Sequence, residues 1–187
     1  DGFCELIGID RDLTSFVKEE SPFDPQKRPI LFTGAGSMSA NNINDTLPNM
    51  IVLLKEIIKQ HKGQKGIIHT HNIKIAEYIK NHIRSSRIKV AYGKNRDNIL
   101  ELHCKSNKDT ILVSPSMSEG VDLKGNLSKF QVICKVPFPY LGDKVCRKKM
   151  HKWKWWYDMQ TVRTIVQSVG RSIRNENDEA ITYILDS

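Results

Sequence analysis

The chain has 187 residues, with 29 Lys+Arg against 21 Asp+Glu for a formal net charge of +8, a size that suits one ordinary domain with its own core. That balance favours polyanions over acidic or neutral partners, with nucleic acid first among them. No apolar run approaches bilayer length and no signal peptide opens the chain, so the expectation is a cytoplasmic protein, nucleoid-associated if prokaryotic, without membrane contact.

In chain order, residues 2 to 9 read as one short helix and Ser15 to Glu19 as a strand leading into SPFDPQKRP. Pro22, Pro25 and Pro29 exclude helix there, since proline fixes φ, lacks a donor and restricts its predecessor. Residues 1–29 are therefore expected to be a lead-in and linker, ahead of a domain over 30–187. Ile30 to Thr33 fits a short strand, and GAGSMSANN after it reads as a loop. GAGS is not a phosphate loop, because GxxxxGK[ST] and its lysine are missing here and at every other glycine cluster.

From Thr46 to Lys62 apolar residues recur at helical spacing, with Thr46 as cap, Pro48 in the first turn and Gly63 at the end. GIIHT at 66–70 reads as a buried strand before a helix over 72–84, RIKVAYG at 87–93 as strand and loop before a helix over 96–104. TILVS at 110–114 and FQVICKVPF at 130–138 are further strands, a broken helical region covers 143–174, and AITYILD at 180–186 is the last strand. This alternation predicts an α/β fold, a parallel sheet with helices on both faces, whose ligands gather at the carboxyl ends of the strands. Cys4, Cys104, Cys134 and Cys146 stand far apart without CxxC or CxxH pairs, so they read as reduced, buried thiols rather than a zinc or iron–sulfur site.

Three segments carry chemistry. QSVGRSIR at 167–174 puts Arg171 and Arg174 three residues apart on what reads as a helix, and two planar, permanently charged forks on one face suit a phosphate clamp. SPSMSEGVDL after an apolar strand presents Glu119 and Asp122 beside the permissive Gly120; the pair reads equally as ligand contacts or as solvated acids in a turn. DKVCRKKMHKWKWWYD interleaves lysines with aromatics, a composition that suits a single-strand path. On a helix, Trp153, Trp156 and Tyr157 share a face expected to be core, leaving Trp155 and the lysines towards solvent. His69 and His71 alternate in direction along a strand, which speaks against joint metal binding, and no metal site is expected.

SEGVDL followed by QSVGRSIR resembles motifs V and VI of superfamily 2 helicases. KVPFPYLGD between them, WY before the glutamine and the earlier SPFDPQKRPI resemble the DinG/XPD group of ATP-dependent DNA helicases, and GIIHTHNIKIAEYI sits where motif IV belongs. The likeness covers nearly the whole chain and implies a RecA-like, P-loop NTPase-type domain lacking its own P-loop, the second of two motor domains. The chain then reads as a fragment of something larger, whose first domain supplies motifs I and II, most ATP contacts and Mg²⁺. Alone it is expected to be inactive.

By motif position the resemblance implies that Gln167 senses the γ-phosphate and that Arg171 and Arg174 act as arginine fingers. Gly170 would allow close helix approach, Asp122 would hold the ribose or orient an arginine, and Glu119 with Gly120 would couple nucleotide to DNA. Thr70, His71, Asn72 and Ser116 would touch the DNA backbone, although Asn72 reads equally as a helix cap. Lys148, Lys149, Lys152 and Trp155 would face single-stranded or fork DNA. The implied protein is a monomer moving 5′ to 3′ and unwinding duplex. The alternatives are a non-catalytic nucleic-acid-binding module, an RNA helicase, and more distantly a metal-dependent hydrolase using His69, His71 and His103.

Overall fold

The computed structural model describes residues 2–116 and 122–187. Six strands alternate with helices: α1 (Gly2–Ile7), β1 (Ile30–Gly36), α2 (Ile43–Gln60), β2 (Gly66–His69), α3 (Ile73–His82), β3 (Ile88–Val90), α4 (Arg96–Lys105), β4 (Ile111–Ser114), β5 (Phe130–Ile133), α5 (Lys144–Lys152), α6 (Lys154–Val169) and β6 (Ile181–Asp186). They form one sheet in the order β1-β6-β5-β2-β4-β3, every pair parallel. Parallel strands need crossovers, and the helices that provide them cover both faces.

The three central strands β2, β4 and β5 are buried along their whole length, which is why they read as near-continuous apolar runs rather than alternating ones. Side chains still alternate between faces: Ile68, Val113 and Val132 pack with α2 and α3, whereas Ile67 and Leu112 join Ala91 and Leu123 on the opposite side. Gly66 serves close packing, since a Cβ there would lie 2.3 Å from the Phe130 ring. His61, past the end of α2, stacks on that ring at 4.3 Å and meets the Tyr183 hydroxyl at 3.0 Å.

Five expectations need correction. The strand expected over 130–138 ends at Ile133. Residues 15–19 form no strand, and the lead-in joins the sheet edge only from Lys27 and Pro29, whose carbonyls accept from Ala180 and Thr182. β1 runs through the small residues to Gly36, with a register irregularity after Phe32. α2 begins earlier, at Ile43, because the Thr46 hydroxyl bonds the Ser37 and Asn42 carbonyls instead of capping, and so Pro48 lies in the second turn. The helical region over 143–174 breaks at Trp153 and ends at Val169, so Arg171 and Arg174 lie in the turn beyond the helix. Among the described residues no helix is long and apolar enough to cross a membrane.

Candidate functional site

The turn after α6 is fixed from below. Gln131, a polar residue in the middle of buried β5, donates through Nε2 to the Val169 carbonyl at 2.8 Å and seats the helix end on the sheet. Gly170 then bonds back to Val166 and Arg171 to Ser168, closing the helix in a tight turn. Ser172 and Ile173 point inward and are buried, the Ser172 hydroxyl donating to Ser128 Oγ at 2.6 Å. The residues flanking that inward pair are the arginines, with Arg171 half-buried and Arg174 exposed. Anchored apolar and hydroxyl residues thus fix the backbone that carries the two arginines, which a helical repeat alone would not have specified.

Asp178 ties this turn to the loop that follows β4. Its carboxylate is 5% exposed and accepts three backbone N–H groups, from Arg174 at 2.8 Å, Asn175 at 2.9 Å and Gly125 at 2.9 Å. Burial alone would raise its pKa, but those donors together with the charge of Lys129 outweigh burial and hold the carboxyl below its ordinary value. A second strap runs from the Leu123 N–H to the Arg171 carbonyl at 3.1 Å. Asp122, next to it, faces Arg174 Nε at 3.4 Å; both side chains are over a third exposed, so the pair orients more than it stabilises. Glu119 and Gly120 lie outside the described residues.

Gln167 is half-buried in the last turn of α6, one helical turn before Arg171. Gly170 has ordinary helical φ, and a Cβ there would meet only the Val166 and Gln167 carbonyls at 3.4 and 3.6 Å. Among the described residues, none therefore requires glycine at that position.

At the end of β2, His69 is buried against Gln131 Oε1 at 3.4 Å. Because Gln131 uses its amide nitrogen on Val169, its oxygen faces His69 and requires the proton on Nε2, leaving Nδ1 without a partner among the described residues. Burial first, and then the charges of His71 and Arg171, lower the His69 pKa to about 3 against the opposing Gln131 bond. Arg171 is thus felt at the carboxyl end of β2. His71 does not point away from His69 as strand alternation predicts: the strand has ended, φ is +48°, and the two rings lie nearly parallel at 6.0 Å. Burial lowers the His71 pKa to about 4. His103 is engaged elsewhere, with the Leu127 carbonyl and the Thr110 hydroxyl, and among the described residues no group of three or more His, Cys, Asp or Glu could hold a metal.

The remaining expected contacts divide in two. Thr70 is buried and its hydroxyl donates to the Asn72 carbonyl at 3.0 Å, so it does not face solvent. Asn72 caps α3, accepting from the Lys74 N–H at 2.8 Å, and Ser116 is exposed. On α5, Lys148 and Lys152 are exposed and Lys149 half-exposed, and Lys149 and Lys152 lie over the Trp156 and Trp153 rings at 5.4 and 4.5 Å. The aromatic face is half-buried rather than core: Lys149 and Lys152 lie over two of its rings and Phe138 stacks on Tyr157. Trp155 is not turned to solvent: its indole N–H donates to Glu5 at 3.3 Å and its ring lies against Gly2, so α1 covers it.

Sequence reasoning missed Asp178 and Gln131. Asp178 stands in NENDE, where nothing separates it from its solvated neighbours. Gln131 left a usable signal, a single amide inside an otherwise apolar buried strand, since such a group must find partners.

Residues 55–187 match the family described as the helicase C-terminal domain. The chain is 26% identical to the ATP-dependent DNA helicase YoaA of Haemophilus influenzae, covering 99% of this chain and 30% of that protein. It is 29% identical to the ATP-dependent DNA helicase DinG of Photobacterium profundum, covering 98% and 29%. It therefore spans about 30% of the length of these curated relatives. A solved XPD helicase superposes with a TM-score of 0.68 at 18% identity, over 85% of this chain and 31% of that one, and shares the RecA-like fold. From the matched family, over residues 55–187, the chain belongs to the helicase C-terminal domains.

Proposed function

We propose that this chain is the second motor domain of an ATP-dependent DNA helicase that moves along single-stranded DNA, 5′ to 3′, and unwinds duplex. Residues 1–29 would lead in from the first RecA-like domain and 30–187 form the second. The observation that carries the reading is the Asp178 clamp, which ties the backbone of the arginine turn at Arg174 and Asn175 to Gly125. A rigid turn suits phosphate chemistry because donors aimed in advance need no reorganisation as charge develops.

The residues fit a triphosphate approached from one side. Arg171 and Arg174 offer charged forks from one turn, and Gln167 offers a neutral amide one helical turn earlier. ATP with Mg²⁺, held mainly by the first domain, supplies the phosphoryl group whose transfer to water drives the cycle. In this chain Arg171 and Arg174 would stabilise charge on the phosphate oxygens, Gln167 would report the γ-phosphate, and Asp122 would orient Arg174. Exposed lysines of α5 would follow the strand's phosphates as point charges without reading sequence.

In the full-length protein, Arg171→Ala and Arg174→Ala should each reduce DNA-stimulated ATP turnover by about 10³-fold, the lower range for loss of an arginine finger. The far-UV circular dichroism spectra of both variants should match the parent, and the melting temperature of Arg174→Ala, whose side chain is exposed, should stay within about 2 °C of it. Near-normal turnover in both variants would remove the finger assignment.

A further inference from the structure

A cleft of about 760 Å³ lies at the carboxyl ends of β1, β5 and β6, walled by residues 37–40 on one side and, on the other, by Val136 and residues 138–142 of the loop that leads into α5. Its walls are held at fixed spacing. Asp186 accepts the Met38 N–H on one oxygen at 2.7 Å and the Val136 N–H on the other at 2.8 Å, and Lys135 Nζ donates to the Met38 carbonyl at 2.8 Å. The outer loop is stiffened by Pro137 and Pro139. It is anchored to α6 where the Tyr157 hydroxyl donates to the Pro139 carbonyl at 3.1 Å.

This stiff loop holds aromatic rings where the fold does not bury them. Phe138 lies parallel to Tyr157 at 5.7 Å and 11°, yet remains 54% exposed, and Tyr140 is 81% exposed. Gly142 leaves the space that Tyr140 fills, since a Cβ there would stand 2.2 Å from the ring. Large exposed rings on a rigid rim mark a binding surface more often than a folding requirement. His71 lines the cleft, and its lowered pKa keeps it neutral at pH 7.

We propose that this cleft takes one unstacked nucleobase from the strand whose phosphates α5 holds, a reading that rests on the single-strand function above. The charge around it selects that occupant over an apolar peptide. Asp143 caps α5 directly after the loop, and the helix then offers Lys144, Arg147, Lys148, Lys149 and Lys152 with no acidic residue among them. Flat rings and a row of cations are therefore adjacent in the chain, matching the alternation of base and phosphate along a single strand. A ring presents its face to any base, so the cleft should be tolerant of sequence.

The test is fluorescence anisotropy of the 187-residue chain with a labelled oligothymidylate and with an abasic oligonucleotide of equal length, across a salt series. Phe138→Ala and Tyr140→Ala, both exposed and therefore safe for folding, should each weaken oligothymidylate binding by about tenfold, within the range for losing one base–aromatic stack. Abasic binding and the salt slope should be unchanged. Equal losses on both oligonucleotides, or none on either, while the parent chain keeps salt-dependent binding, would overturn the base pocket and leave the cleft to an apolar protein side chain. Failure of the parent chain to bind either oligonucleotide would instead overturn the single-strand reading, and the pocket with it.

Discussion

Replacing Asp178 with alanine removes the buried carboxylate that joins the arginine turn to Gly125 in the segment after β4. Three backbone N–H groups lose their acceptor, at 2.8, 2.9 and 2.9 Å. Hydrogen bonds to a charged group contribute ~1.5–3 kcal/mol each when one partner is deleted, but Arg174 and Asn175 are exposed and Gly125 half-exposed, so water replaces part of the loss. We expect a net destabilisation of about 2–4 kcal/mol, which for a chain of this size lowers Tm by about 5–15 °C. Asp178→Asn keeps one acceptor and turns an amide N–H₂ against the other donors, so it should fall between the two.

The pH dependence provides a second readout. The folded pKa of Asp178 lies below the unfolded one, so the folded state binds fewer protons; the stabilisation is complete above the unfolded carboxylate value and is lost as pH falls through the folded one. Urea unfolding of the parent and of Asp178→Ala should converge on acidification. A loss smaller than ~0.5 kcal/mol at neutral pH, the size of an ordinary surface change, would refute the clamp.

Further outcomes follow from other parts of the site. Combined replacement of Lys148, Lys149 and Lys152 by alanine should reduce the slope of log affinity against log salt by about 2, since each phosphate contact contributes ~0.7 for a single strand; an unchanged slope in the same titration removes α5 from the DNA path. His69 and His71 have folded pKa values of about 3 and about 4 against 6.5 in the unfolded chain, so the unfolded state binds more protons between those limits and stability must fall as pH drops from 6.5 towards 4. The fall should be shallower in His71→Asn, whose residue tolerates the +48° backbone, and identical urea midpoints across pH for parent and variant would exclude that coupling.

The order of elements was legible because β2, β4 and β5 are buried on both faces and so appear as uninterrupted apolar runs. The arginines were legible by residue type and spacing, but their conformation was not. Local periodicity carried the helix towards Arg174, whereas bonds from residues distant in the chain, Gln131 to Val169 and Ser128 to Ser172, fix the turn instead. Trp155 escaped a helical-face argument for the same reason, since the surface that covers it comes from α1 at the far end of the sequence. Asp178 could not be told from Glu176 or Glu179 without knowing that Gly125 lies opposite.

The sheet order has a consequence for how the chain is made. β1 sits at one edge, and its sheet partner is β6, the last strand in the sequence. On a ribosome adding ~5–20 residues per second, β1 must wait on the order of ten seconds before its mate has been synthesised. Throughout that interval Leu31 and Phe32, still partly exposed in the finished fold, are carried on a nascent strand with open hydrogen-bonding edges. This is the segment at which chaperone capture or mispairing during translation would begin.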